Sequence, residues 1–146
     1  VLLADDDQFQ RFYYQTLFQK SLDFESIAIE KKDFRFELFK SGEELMTNYK
    51  DNKNCSCEHP LMIILDYNMG KGKLSGIETA LSLRKAGFRG IILLRTSETE
   101  DYLKENHEDL EEILERKDVN EILGKNNHIE TKSRIQEIMK KLFGKT

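Results

Sequence analysis

Three stretches of the chain are apolar without interruption: Val1-Leu2-Leu3-Ala4, Leu61-Met62-Ile63-Ile64-Leu65, and the run from Gly90 through Leu94. Continuous runs of this length predict central parallel strands buried on both faces. Phe34 to Phe39 alternates apolar and polar positions instead, which predicts a strand nearer an edge, and Glu121-Ile122-Leu123-Gly124 is a short fifth candidate. Between these blocks the period becomes helical. Gln8 to Lys20 carries Phe9, Phe12, Tyr13 and Leu17 on one stripe. A second helix opens at Ser41-Gly42-Glu43-Glu44 and carries Leu45, Met46 and Tyr49, and a third carries Ile77, Ala80, Leu81 and Arg84 before Gly87, a C-cap glycine. Glu100 to Arg116 predicts one long acidic helix, and Ile135, Ile138, Met139 and Leu142 mark the last. Ser75, Thr99 and Asn127 are candidate helix caps, and Asp7 is another at the head of the first helix.

Strand and helix thus alternate five times, which predicts an α/β domain: a doubly wound, five-stranded parallel sheet with five helices. At 146 residues the chain is expected to form a single domain, 1–146. Its start at Val1, without methionine and already inside a strand, suggests excision from a longer protein. With 38% hydrophobic residues gathered into blocks and only one proline and eight glycines, disorder is excluded. No apolar run approaches the roughly 20 residues of a membrane helix, and no signal peptide is visible, so a cytoplasmic location without membrane contact is expected. The net charge of -4 disfavours direct nucleic-acid binding.

Cys55-Ser56-Cys57-Glu58-His59 looks like part of a zinc site, but tetrahedral zinc needs four ligands and the chain has no further cysteine. His107 and His128 are remote in sequence, so a solvated insertion loop is the favoured reading. Phe9, Phe12, Phe36 and Phe39 read as core rather than ligand contacts. The acidic run Glu108 to Glu112 reads as a solvated helix face.

In a doubly wound sheet, ligands bind beyond the carboxyl ends of the strands. The residues there are Asp5, Asp6 and Asp7 after the first run, Asp66 after the third, Thr96, Ser97 and Glu98 after the fourth, and Lys125 after the fifth. Clustered carboxylates raise one another's pKa unless a cation neutralises them. A hard divalent ion suits oxygen ligands, and Mg²⁺ is the usual choice where a phosphate shares the coordination. Lys125 would add a point charge and Thr96 a hydroxyl donor, a set able to bring a phosphoryl group onto a carboxylate.

Five segments carry a resemblance: Leu2-Leu3-Ala4-Asp5-Asp6-Asp7, Ile64-Leu65-Asp66-Tyr67-Asn68-Met69, Ser75-Gly76-Ile77-Glu78, Leu93-Leu94-Arg95-Thr96-Ser97 and Ile122-Leu123-Gly124-Lys125. In order and over essentially the whole chain, they resemble the receiver domain of two-component response regulators, a flavodoxin-like fold. The resemblance implies that Asp66 is the phosphoacceptor. It also implies that Asp5, Asp6, Asp66 and the Asn68 backbone carbonyl hold Mg²⁺, that Thr96 is the switch hydroxyl, and that Lys125 senses the phosphate. Asn68 and Glu98 would tune hydrolysis, and a histidine kinase or histidine phosphotransfer domain would be the donor. The response is implied on the face of the fourth helix, fifth strand and fifth helix. In isolation such a domain only phosphorylates and dephosphorylates itself, although the parent chain could be a hybrid histidine kinase.

The sequence departs from the family at three places. Asn126 follows Lys125 where the family has a cis proline, so this bond is either trans or held under strain. Ile122 replaces the aromatic switch partner, and Gly70-Lys71-Gly72-Lys73 lengthens the loop after the acceptor. Two other readings compete: a receiver-like interaction scaffold that is never phosphorylated, and a metal-dependent phosphatase. The second lacks the aspartate expected two residues after the nucleophile, since Asn68 stands there.

Overall fold

The computed structural model describes residues 1–27, 34–52, 60–126 and 128–143. In chain order it contains β1 (Leu2–Ala4), α1 (Gln8–Thr16), a π-helical turn (Leu17–Ser21), α2 (Phe24–Ile27), β2 (Glu37–Phe39), α3 (Gly42–Asn52) and β3 (Met62–Asp66). There follow α4 (Gly76–Lys85), β4 (Ile91–Thr96), α5 (Glu100–Asn106), α6 (Leu110–Glu115), β5 (Glu121–Gly124) and α7 (His128–Phe143). The strands pair in parallel in the order β2-β1-β3-β4-β5, so the alternating segment ending at Phe39 is an edge strand, as its pattern predicts. The chain leaves β1 toward β2 and returns across to β3. The switch point of the sheet therefore lies between the ends of β1 and β3.

The pleat sends alternate residues to opposite faces. Leu2, Ala4, Ile63, Leu65, Ile92 and Leu94 meet Leu45 and Met46 of α3, Ile77 and Leu83 of α4, and Leu103, Leu110 and Ile113 beyond. Leu3, Met62, Ile64, Leu93 and Leu123 meet Tyr14, Leu17 and Phe18 on one side, and Ile135, Ile138 and Met139 of α7 on the other. Each such buried aliphatic side chain contributes about 1.5–3 kcal/mol.

The helices differ from the sequence expectation in three ways. The stripe of α1 is rotated: Phe9 and Phe12 are 74% and 69% exposed, while Leu17 is buried as expected and Tyr14 and Phe18 join it. The last turn before Leu22 widens, with the Leu22 N–H bonded to the Leu17 carbonyl at 3.1 Å, and α2 follows as an additional short helix. The long acidic helix is two helices, because His107 leaves the helical conformation (φ -139°, ψ 92°). Seven α-helices thus stand among the described residues where five were expected.

Caps fall at expected positions. Asp7 accepts from the Phe9 N–H and Thr99 from the Tyr102 N–H. Ser75 and Glu78 form a reciprocal capping box at the head of α4. Gly87, at φ +104°, closes that helix with the paired 6→1 and 5→2 bonds of a Schellman motif: Phe88 N–H to Leu83 O and Gly87 N–H to Arg84 O, both 3.0 Å. Asn127 and the Cys55–His59 tract lie outside the described residues.

Candidate functional site

Parallel register builds the site. Ala4 stands opposite Leu65, so the next residues, Asp5 and Asp66, emerge side by side at the switch point. Asp5 is fixed by its surroundings: its N–H bonds to the Phe39 carbonyl, its carbonyl accepts from Arg11 Nη1 at 2.8 Å, and its Oδ1 accepts the Asp7 N–H at 3.0 Å. Asp5 and Asp66 are 1% and 3% exposed, whereas Asp6 is open to solvent. Carboxylate oxygens of all three lie within 4.8 Å of one another.

The head of α4 presses on the acceptor from behind. The Gly76 N–H bonds to the Tyr67 carbonyl at 2.8 Å, and a Cβ at Gly76 would collide with the Asp66 carbonyl oxygen and with Leu94. Glycine is required there because backbone meets backbone. β4 and β5 deliver the remaining groups. Thr96 is buried, and its Oγ1 accepts the Glu98 N–H at 2.9 Å, which leaves its own O–H to donate into the cleft. The Lys125 N–H bonds to the Thr96 carbonyl, and Lys125 Nζ reaches Asp66 Oδ1 at 2.5 Å and Asp5 Oδ2 at 3.3 Å. The Lys125–Asn126 peptide is trans, which answers the question raised by the missing proline. Asn68 Oδ1 accepts the Gly70 N–H at 3.2 Å, folding the loop after the acceptor. A cleft of about 440 Å³ is lined by Asp6, Asp66, Asn68, Lys71, Thr96, Glu98 and Lys125, among others. Every residue singled out beyond the strand ends is thus brought to one place. Ile122, opposite Leu94, packs partly buried against the aliphatic face and offers no aromatic ring.

The electrostatics are those of a site built for added positive charge. Burial and then the charge of Asp5 push the Asp66 carboxyl up to about 7, with Lys125 offsetting only part. Burial raises Asp5 as well. Two like unit charges 4 Å apart repel by about 4 kcal/mol at an effective dielectric of about 20. Asp5 Oδ2 is buried and faces the Lys125 ammonium at 3.3 Å, and the three carboxylates make an all-oxygen donor set. That set fits a hard divalent cation such as Mg²⁺.

Two features escaped the sequence reading. Arg95 is fully buried directly beside Asp66 in the β3–β4 register. A charged residue inside an otherwise apolar strand was the available signal. Tyr67, next to the acceptor, shares a 2.8 Å hydrogen bond with His107 Nε2 at the break between α5 and α6.

By sequence, no protein-family model matches the chain, and no curated protein matches it. Solved structures do. The response regulator TrrA from Thermotoga maritima, in complex with Mg²⁺ and beryllofluoride, superposes with a TM-score of 0.63 at 19% identity, covering 94% of this chain and 96% of its own. The beryllofluoride-activated DrrB receiver domain gives 0.63 at 16% identity, over 94% of each chain. The Mn²⁺-bound response regulator Rcp1 gives 0.63 at 18% identity, over 99% of this chain and 94% of that one. Over nearly its whole length the chain has the fold of a response-regulator receiver domain.

Proposed function

We propose that residues 1–146 are a single receiver domain acting as a phosphoryl-accepting switch in two-component signalling. The observation that carries this reading is the convergence of Asp5, Asp6, Asp66, the free Thr96 hydroxyl proton and the Lys125 ammonium in one cleft.

An Asp66 carboxylate oxygen attacks the phosphorus of a phosphohistidine. The new O–P bond forms as the N–P bond breaks, and the imidazole leaves with the electron pair. Mg²⁺ held by Asp5, Asp6, Asp66 and the Asn68 carbonyl would neutralise charge on the transferring group. Lys125 gives up its pairing with Asp66 and bonds a phosphoryl oxygen, and Thr96 turns inward to donate to another. Those two movements alter the loops that lead into α5 and α7. Asn68 and Glu98, both polar and at the mouth, orient the water that attacks phosphorus, releases inorganic phosphate and restores the carboxylate. The phosphoform is therefore short-lived.

The first turns of α1 and α7 open at the same edge, and Phe9, Phe12 and the 84%-exposed Ile129 offer apolar surface there. This favours a protein donor, a histidine kinase or histidine phosphotransfer domain. No described helix is long and apolar enough to cross a membrane.

The test is Mg²⁺ titration followed by beryllofluoride, read by amide NMR in the wild type and Asp66→Asn. Saturable Mg²⁺ binding, with beryllofluoride shifts at Thr96, Lys125 and α7 that vanish in the variant, is expected. If neither ligand perturbs those residues, the chain is an interaction scaffold with a silent site.

A further inference from the structure

Among the described residues, the bulkiest fully buried side chain is a charged one, Arg95 of β4. Its Nη1 donates to Tyr14 Oη at 2.9 Å and to Gln10 Oε1 at 3.0 Å, and the guanidinium lies 5.3 and 5.2 Å from the Tyr13 and Tyr14 ring centres. Nε and Nη2 have no hydrogen-bond partner, and among the described residues no carboxylate lies within ion-pair distance. Burying a cation without a paired anion costs several kcal/mol, and a methionine of similar length would avoid that cost. Packing alone does not account for an arginine here.

Its place in the sheet does. Asp66 and Arg95 are direct partners across β3 and β4, so both side chains leave the same face from adjacent strands. Asp5 follows the Ala4–Leu65 pair into the same row, and Lys125 stands one pleat beyond Leu123, the partner of Arg95 on β5. Across the sheet the row reads acidic, acidic, basic, with the lysine above. The Tyr14 hydroxyl that binds Arg95 also feels Asp5 and Asp66, whose charges add to the burial that keeps it protonated.

We propose that Arg95 is a positioning residue of the phosphoryl site: a permanent buried cation, held by Tyr14 and Gln10, that opposes the metal ion and favours the dianionic adduct on Asp66. The inference rests on the phospho-switch reading. With three carboxylates, Lys125 and Arg95, the empty site carries one net negative charge. A divalent ion makes it net positive by one, and replacing the carboxylate's single charge by an acyl phosphate dianion brings it to neutral. Without Arg95, each state is one charge more negative.

The two ligands must therefore respond in opposite directions. In Arg95→Met, beryllofluoride at saturating Mg²⁺ binds more weakly by roughly fivefold, the effect of a unit charge about 10 Å away at an effective dielectric of about 30–40, and Mg²⁺, with twice the charge, binds more tightly by roughly 25-fold. Arg95→Lys, which keeps the charge, stays within about twofold of wild type for both ligands. Arg95→Gln, which keeps a donor for Tyr14, repeats the opposite shifts should the methionine variant not fold. If both affinities fall together, or neither moves, Arg95 is a packing element and the proposal is wrong. If wild type binds neither ligand, the switch reading fails and takes this proposal with it.

Discussion

The two faces of the sheet share the same strands and are built by opposite rules. Toward α3–α6, β1 and β3 are aliphatic from one end to the other, with Leu2 and Ala4, Ile63 and Leu65, and β4 is aliphatic through Ile92 and Leu94 until Thr96 closes it. Toward α1 and α7 the same strands begin aliphatic and end charged, as Leu3 gives way to Asp5, Ile64 to Asp66 and Leu93 to Arg95. Leu123 gives way to Lys125 in the same manner beyond β5. One face supplies cohesion. The other spends part of that cohesion on holding unlike and like charges at fixed spacing, where a low dielectric makes each worth more. A site of this kind depends on a neighbour face that tolerates its cost.

The sharpest way to break the comparison is to change one residue on each face. Leu65→Ala, at a fully buried position on the aliphatic face, is expected to lose about 3–4 kcal/mol in urea unfolding. Asp66→Asn, one residue further along the strand, is expected to gain stability in metal-free buffer. An Asp66 carboxyl at about 7 in the folded protein, against an ordinary 3.8, binds more protons folded than unfolded. Stability therefore falls as pH rises between those two values and stays low above them. Metal-free wild type should be more stable near about pH 5.5 than near about pH 8, by on the order of 1–3 kcal/mol, a difference that Mg²⁺ at the higher pH removes. Asp66→Asn should flatten that profile. A wild-type profile that rises with pH in the absence of metal would show that the acidic row is not repulsive.

The strand ends were legible because the apolar runs stop where the strands reach the site, so reading just past each run reaches Asp5, Asp66, Thr96 and Lys125, although the first three are themselves buried. Helix faces were harder. Residues 9–18 include Phe9, Phe12, Tyr13, Tyr14, Leu17 and Phe18, enough apolar surface for two stripes. The partner that selects between them is Arg95, far away in sequence, which draws Tyr14 inward and leaves Phe9 and Phe12 outside. The break after α5 was hidden for a similar reason. Leu103 and Leu110, both buried, are spaced as in one continuous helix, and only the contact of His107 with Tyr67 marks the interruption.

A smaller test concerns how the aliphatic face is locked to the acceptor. Ser75→Ala removes one half of the capping box at α4 and should cost about 1 kcal/mol. Because Gly76 packs on the Asp66 carbonyl, the same change should broaden the Asp66 and Tyr67 amide signals, while Thr99→Ala, at the head of α5, leaves them unchanged.

The smallest effect tests a polar tie on the aliphatic side. Tyr67 follows Asp66 in the pleat, so it leaves the sheet on the face opposite to the acidic row, and its hydroxyl meets His107 at the point where α5 stops. The ring packs edge-on against the imidazole, with centroids 5.5 Å apart, and Tyr67→Phe preserves that contact while removing the hydrogen bond. The expected loss is about 0.5–1.5 kcal/mol. Its distribution is more telling than its size. Leu110 N–H bonds to the His107 carbonyl, and Ile113 N–H to Asp109, so the start of α6 hangs from the segment that Tyr67 holds. Amide exchange should quicken at His107 and Leu110 and stay unchanged at Tyr14 and Leu123 on the charged face. Equal quickening on both faces would mean that the sheet transmits the loss as a whole, and that its two faces are not independent after all.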